Sequence, residues 1–235
     1  MSEKWLGETA ILDFSSGTIQ HLIESRQWQS LETFEAIGTV YSFVKDDIAF
    51  GYNRTDDLQA SLVLSDGYGQ CNTKANLLMA LLRAFGIECR IHGFTIDKAL
   101  QKGAIPVGLY QLAPRRILHS WVEVNYRGRW LNLEGFIIDA DYMASIQSRY
   151  SRSSVSFCGY GIATACLRNP NVEWRGKSTY IQKQGIVDDF GIFMTPINFT
   201  GSMEQIYAVL KRIFYAYIGR HIVNWNVNRI RQRVR

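Results

Sequence analysis

The stretch from Ser65 to Phe85, SDGYGQCNTKANLLMALLRAF, constrains this chain most, because it puts a cysteine where an apolar helix begins. Gly67 and Gly69 allow a sharp backbone turn, and Cys71, Ala75, Leu78, Leu82 and Phe85 then recur at helical spacing until Gly86 stops the run. A thiol in the first turn of a helix faces unpaired backbone N–H groups and the positive end of the helix dipole, and both favour the thiolate. A cysteine in an apolar helix is also a common small core residue, so Cys71 needs a base and an acid before it counts as a nucleophile.

Both candidates lie about fifty residues further on. Ile117 to Tyr126 and Arg129 to Gly135 are two alternating runs separated by Arg127-Gly128, the pattern of a β-hairpin. With Arg127 and Gly128 as the turn, counting back pairs Tyr126 with Arg129 and sets Trp121 opposite Glu134. His119, Trp121, Asn132 and Glu134 then share one face, while Leu118, Val122, Leu131 and Leu133 share the other. His119 and Glu134 become neighbours, their β-carbons about 5–8 Å apart by hairpin geometry. A carboxylate so placed can fix the tautomer of an imidazole.

Gly-Gln-Cys at a helix start, the tail Leu-Leu-Arg-Ala-Phe-Gly-Ile leading into a strand, then His-Ser-Trp-Val-Glu-Val and Gly-Arg-Trp with an acid four residues after the tryptophan, together resemble the core of the transglutaminase-like superfamily over roughly Asp66 to Glu134. The resemblance implies an α+β, papain-like fold in which a cysteine-bearing helix packs on an antiparallel sheet. It also implies Cys71 as nucleophile, His119 as general acid/base and Glu134 as the orienting carboxylate. The family usually has aspartate, commonly followed by proline, where this chain has Glu134-Gly135; Asn132 is the alternative orienting group, as asparagine is in papain-like enzymes. The implied reaction is cysteine-dependent acyl transfer on a peptide or other amide, possible substrates including a protein side chain, with hydrolysis ranked ahead of transamidation. The Cys71 backbone N–H is the expected oxyanion donor, with Gln70 and Trp121 as further candidates. No metal or organic cofactor is expected. An inactive family member serving as an interaction module is the alternative; arylamine N-acetyltransferase chemistry ranks below both.

The remaining chain adds supporting elements. Ser16 can cap a short helix bearing Ile19, Leu22 and Ile23, and Ser30 can open a longer one with Phe34, Ile37, Tyr41 and Val44 as its apolar stripe. Ile48 to Leu64 reads as connection that begins with a short extended piece from Ile48 to Tyr52. Ile87 to Gly93 alternates as a strand, with Cys89 toward the core and His92 expected on a solvated face beside Glu88 and Arg90. Asp97 to Arg116 reads as a long loop able to face substrate. Asp141 to Tyr150 suggests a helix, while Cys158 and Cys166 are expected to be buried free thiols. Asp189-Phe190-Gly191 matches a kinase tripeptide by chance, since no glycine-rich phosphate loop precedes it. Ser202 and Gln205 form a capping box ahead of an amphipathic helix from Ile206 to Tyr217. The expected division is a catalytic core with N-terminal helices over 1–150 and a C-terminal extension over 151–235, its amphipathic helix packed on the core.

Charge is distributed unevenly. Seven basic residues and no acidic ones follow Glu204, more than the whole net charge of +5, so the basicity is local to the C-terminal end. That end could meet an acidic partner, nucleic acid or membrane surface, although a solvated helix end is the simpler expectation. Four cysteines without C-x-x-C spacing indicate reduced thiols. No run approaches the ~20 apolar residues of a bilayer span, and MSEKWLGETAILDF lacks the core of a secretory signal, so a cytoplasmic location is expected.

Overall fold

The computed structural model describes residues 3–150, 156–196 and 215–232. Helix α1 (Gly17–Ser25) and helix α2 (Thr33–Asp46) lead into a two-residue strand β1 (Ala49–Phe50), helix α3 (Ala60–Asp66) and a second short strand β2 (Tyr68–Gly69). β2 delivers the chain directly into helix α4 (Cys71–Ala84). Every residue of α4 from Asn72 to Arg83 is buried, so this helix is the centre of the fold rather than an amphipathic cover. Its polar side chains are accommodated by backbone carbonyls: Lys74 donates to Lys45 and Ile137, Asn76 to Asp56 and Leu58, and Arg83 to Gly7, Cys89 and Met194. Gly86, at φ 66°, takes the left-handed turn that ends the helical segment.

The chain then builds the sheet. β3 (Cys89–Asp97), α5 (Val107–Leu112), β4 (Arg116–Tyr126), β5 (Arg129–Leu133), α6 (Ala140–Arg149), the small hairpin of β6 (Phe157–Gly159) and β7 (Ile162–Thr164), and β8 (Ile186–Phe193) follow in order. The main sheet runs β5-β4-β3-β8, antiparallel throughout. Tyr126 pairs with Arg129 and Val122 with Leu133, the register counted from the turn, with both Arg127 and Gly128 at positive φ as a type I′ hairpin requires. Cys89, Ile91, Leu118, Val122, Val124 and Leu133 join the main core with α4. Phe94, Ile96 and Trp121 form a smaller cluster with Leu100 and Ala163. This is the α+β arrangement of a cysteine-bearing helix on an antiparallel sheet. Helix α7 (Arg220–Arg231) then returns to pack against α6.

Several local expectations are corrected. α2 starts at Thr33 after Glu32, because Ser30 belongs to a separate 3₁₀ turn; Phe34 is exposed, and Ala36 and Val40 join Ile37, Tyr41 and Val44 in the core. Ser16 precedes α1 but makes no side-chain cap bond. The segment read as connection carries β1 inside the extended piece expected over Ile48–Tyr52, but also holds α3, which was not expected. The 97–116 loop contains a 3₁₀ turn and α5, whose Val107 and Leu112 are exposed. Cys158 is exposed, on the outward-facing position of β6 between Phe157 and the buried Gly159, and Cys166, just past β7, is half-buried. His92 is not simply solvated: its two ring nitrogens meet Glu123 at 2.9 Å and Asp189 at 2.7 Å, and those bonds, Glu123's first, hold its pKa above the usual range. The capping box at Ser202 and most of the helix expected after it lie outside the described residues. No helix among the described residues is long and apolar enough to cross a membrane.

Candidate active site

The backbone before Cys71 is fixed from both sides. Gly67 adopts φ 69° to leave α3, and β1 then grips β2 in parallel, with Ala49 N–H donating to Gly67 O (2.9 Å) and Gly51 N–H to Gly69 O (3.0 Å). A Cβ at Gly69 would lie 2.7 Å from the Thr73 hydroxyl and 2.9 Å from Lys74 Cγ, so only glycine allows the helix to begin this tightly. Gln70 is the N-cap residue, and its backbone N–H donates to Thr73 Oγ1 at 3.1 Å. Its side chain is engaged with the loop that follows β1: Oε1 accepts from Asn53 N–H at 2.8 Å and Nε2 donates to Asp56 at 2.9 Å. Burial pushes the Asp56 carboxyl above its usual range, against hydrogen bonds from Gln70 and Asn72. Cys71, half-buried, is the first residue of α4, where backbone N–H groups lack intrahelical partners.

His119 enters from the middle of β4 and is fully buried, with Phe94 packed edge-on at 4.7 Å between ring centroids. Its Nε2 donates to Glu134 Oε1 at 3.2 Å. Nδ1 has no hydrogen-bond partner among the described residues. Burial disfavours the imidazolium, but the charge of nearby Cys71, followed by the hydrogen bond and charge of Glu134, outweighs it and raises the pKa to about 9.

Glu134 ends the β5 segment. Its Oε2 accepts from three consecutive backbone N–H groups, Ile181 (2.9 Å), Gln182 (3.0 Å) and Lys183 (3.1 Å), a setting suited to a carboxylate oxygen. The Thr179 hydroxyl accepts from the N–H groups of Glu134 and Gly135, each at 3.2 Å, and donates to the Tyr41 oxygen at 3.1 Å, whose own proton goes to Val172 O at 2.7 Å. One carboxylate oxygen is therefore anchored while the other faces the histidine.

The structure thus brings His119 and Glu134 into contact and sets Cys71 beside the imidazole. It places the other candidates elsewhere. Asn132 donates to the Tyr180 hydroxyl at 2.9 Å and takes no part in the His119 contact. Trp121 is buried among Phe94, His92 and Tyr180, a wall of aromatic rings, and its indole N–H has no partner among the described residues. Gln70 holds the 53–56 loop. Sequence reasoning missed Asn53, Asp56, Thr179 and the 181–183 amides, most of which act through backbone groups that no side-chain motif reveals.

The family model described as "Transglutaminase-like superfamily" matches residues 22–135. No curated protein matches the sequence. Among solved structures, the chain is similar to a candidate cysteine protease from Cytophaga hutchinsonii, with 12% identity, a TM-score of 0.42, and coverage of 81% of this chain and 46% of that one. This chain therefore spans less than half of that neighbour's length.

Proposed function

We propose, from the premise that residues 22–135 form a transglutaminase-like superfamily core, that this chain is a cysteine-dependent acyl-transfer enzyme acting on amide bonds. The observation that carries the reading is His119, held by the anchored Glu134 on one ring nitrogen and open on the other to the thiol at a helix start. In the proposed mechanism His119 takes the Cys71 proton at Nδ1, and the thiolate adds to the amide carbonyl carbon. The oxyanion is met by the backbone N–H of Cys71. The C–N bond then breaks, the amine leaves with the proton from Nδ1, and a thioester remains on Cys71. Water, deprotonated by the same nitrogen, releases the acid; a second amine in its place would give transamidation. A peptide or protein amide hydrolysed by water is the substrate class we favour, in a reducing compartment such as the cytoplasm that suits four free thiols.

The test is the alkylation rate of Cys71 by iodoacetamide as a function of pH, resolved from the other cysteines by mass spectrometry. A plateau of reactivity below pH 7 that His119→Ala abolishes is the expected result. Reactivity that rises only near the ordinary thiol range of about 8.5, and is indifferent to His119, would overturn the reading.

A further inference from the structure

β1 is two residues long, yet the turn that carries Cys71 hangs on it. Along a strand, successive backbone groups point to opposite edges. Ala49 and Gly51 donate to β2, as described, which leaves the groups of Phe50 and Tyr52 on the outer edge. Among the described residues, no strand pairs there. Side chains of the distant α7 take its place. Asn224 Oδ1 accepts from Tyr52 N–H at 2.7 Å, and its Nδ2 donates back to Tyr52 O at 2.9 Å. Arg231 donates to Phe50 O at 2.7 Å and forms a two-pronged ion pair with Asp139 at 2.8 and 3.1 Å; Asp139 in turn accepts from Phe50 N–H at 2.7 Å. All four outer-edge groups of residues 50 and 52 are thus satisfied by two side chains of α7 and one carboxylate.

The contacts extend around the turn. Arg220 donates to the Tyr68 hydroxyl on β2 at 3.1 Å, and Asn226 donates to Gly103 O and Ala104 O at 3.0 and 2.8 Å. Gln101, two residues before Gly103, accepts from the Tyr52 hydroxyl. That tyrosine is buried, and Cys71 is among the charges it senses. A Cβ at Gly51 would lie 3.3 Å from Asn224 Oδ1, a measure of how closely α7 approaches the strand.

We propose that Asn224 and Arg231 are positioning residues for the nucleophile: α7 serves as a surrogate strand that locks β1 and β2, and so sets where Cys71 stands relative to His119. The proposal rests on the acyl-transfer reading. A pure packing role for α7 would need its buried Val223, Val227 and Ile230, but not a polar side chain that copies both hydrogen bonds of a neighbouring strand.

The experiment is the pH profile of Cys71 alkylation by iodoacetamide in the full chain, for wild type, Asn224→Leu, Asn224→Asp and the control Trp225→Ala, whose side chain is exposed on the same helix. Urea unfolding is measured alongside, and alkylation is followed where each variant is folded. Asn224→Leu should lose about tenfold to a hundredfold of its rate at pH 6, the scale of a reacting atom displaced by a fraction of an ångström to an ångström. Asn224→Asp keeps the acceptor for Tyr52 N–H and should lie between; Trp225→Ala should match wild type. A folded Asn224→Leu with the wild-type profile overturns the proposal. If Asn224→Leu does not fold, an Asn224→Asp profile identical to wild type overturns it instead. A wild-type protein lacking low-pH reactivity overturns the acyl-transfer reading, and the proposal with it; wild-type reactivity with insensitive Asn224 variants overturns the proposal alone.

Discussion

Replacing Glu134 by glutamine changes one atom, and the consequence follows from the donors around it. The Oε2 position is surrounded by the N–H groups of Ile181, Gln182 and Lys183. An amide NH₂ cannot occupy that position without facing three donors, so the glutamine oxygen must take it and the NH₂ must turn to His119 Nε2, now 3.2 Å from Oε1. Two donors cannot bond, so Nε2 gives up its proton and Nδ1 carries it. Nδ1 then faces Cys71 as a donor and cannot accept the thiol proton. The charge that helps to hold His119 at about 9 is also lost. General acid–base catalysis supplies about 10²–10⁴ in rate, so Glu134→Gln should lower amide turnover by roughly that range, or about 3–5.5 kcal/mol of barrier. Cys71 alkylation at pH 6 should fall at least about tenfold. Glu134→Asp, although it installs the residue usual in the family, withdraws the carboxylate by about 1.5 Å, one C–C bond. It can then meet the amides or the imidazole but not both, and should lose about tenfold to a hundredfold. The measurement is the Cys71 alkylation rate from pH 5 to 9, with circular dichroism to show that each variant is folded. A Glu134→Gln profile superimposable on wild type would refute the tautomer reasoning.

Three further outcomes are expected. Gly135→Ala sets a Cβ 2.5 Å from the Tyr41 hydroxyl and 2.7 Å from Val172 Cα, so chemical denaturation should show a loss of about 1–3 kcal/mol. Burial lowers the Lys74 pKa from 10.5 to about 7, so the folded state binds fewer protons than the unfolded chain and stability rises with pH between those values; His119, raised from 6.5 to about 9, contributes stability in full below 6.5 and loses it as pH rises through 9. The two oppose each other from pH 7 to 9, and Lys74→Met should leave a stability that falls across that window in urea titrations. Cys89, fully buried and pushed up to about 11, should resist alkylation at pH 8 until the chain unfolds, whereas the exposed Cys158 should react in the native state; native labelling of Cys89 at the rate of Cys158 would contradict the packing under α4.

The sequence was most informative where a local rule had one outcome. Gly67 and Gly86 mark left-handed turns at the two ends of the cysteine segment, and the type I′ turn at Arg127-Gly128 fixes the hairpin register. It was least informative where contacts join distant segments. β8 contains Asp188-Asp189 in mid-strand, which breaks the alternation of a half-buried strand. Bulges opposite Gly93/Phe94 and Thr95/Ile96 absorb the mismatch, and the two acids then meet partners on other strands: Asp188 meets Thr95 and Arg116, Asp189 meets His92. Sequence parity assigned His92 to the polar face correctly, but could not say that a strand ninety-seven positions away covers it. β1 showed only as a short extended piece over Ile48–Tyr52, and β2 is too short to carry a propensity signal of its own.

The Glu134-Gly135 pair, which departs from the aspartate and proline usual in the superfamily the core resembles, has a physical account in the same contacts. Glutamate reaches from the end of β5 to both His119 and the 181–183 amides, a span over which its extra methylene is needed if the backbone stays where it is. The backbone is kept there by Thr179, whose hydroxyl accepts from the Gly135 N–H that a proline would lack. Close approach of Tyr41 and Val172 leaves no room for any Cβ at 135. The longer acid, the glycine and the threonine thus form one unit. On this account, proline at 135 and aspartate at 134 would be damaging separately and would not rescue one another, because the shorter acid still cannot span both the amides and His119, and the proline still lacks the N–H that Thr179 accepts.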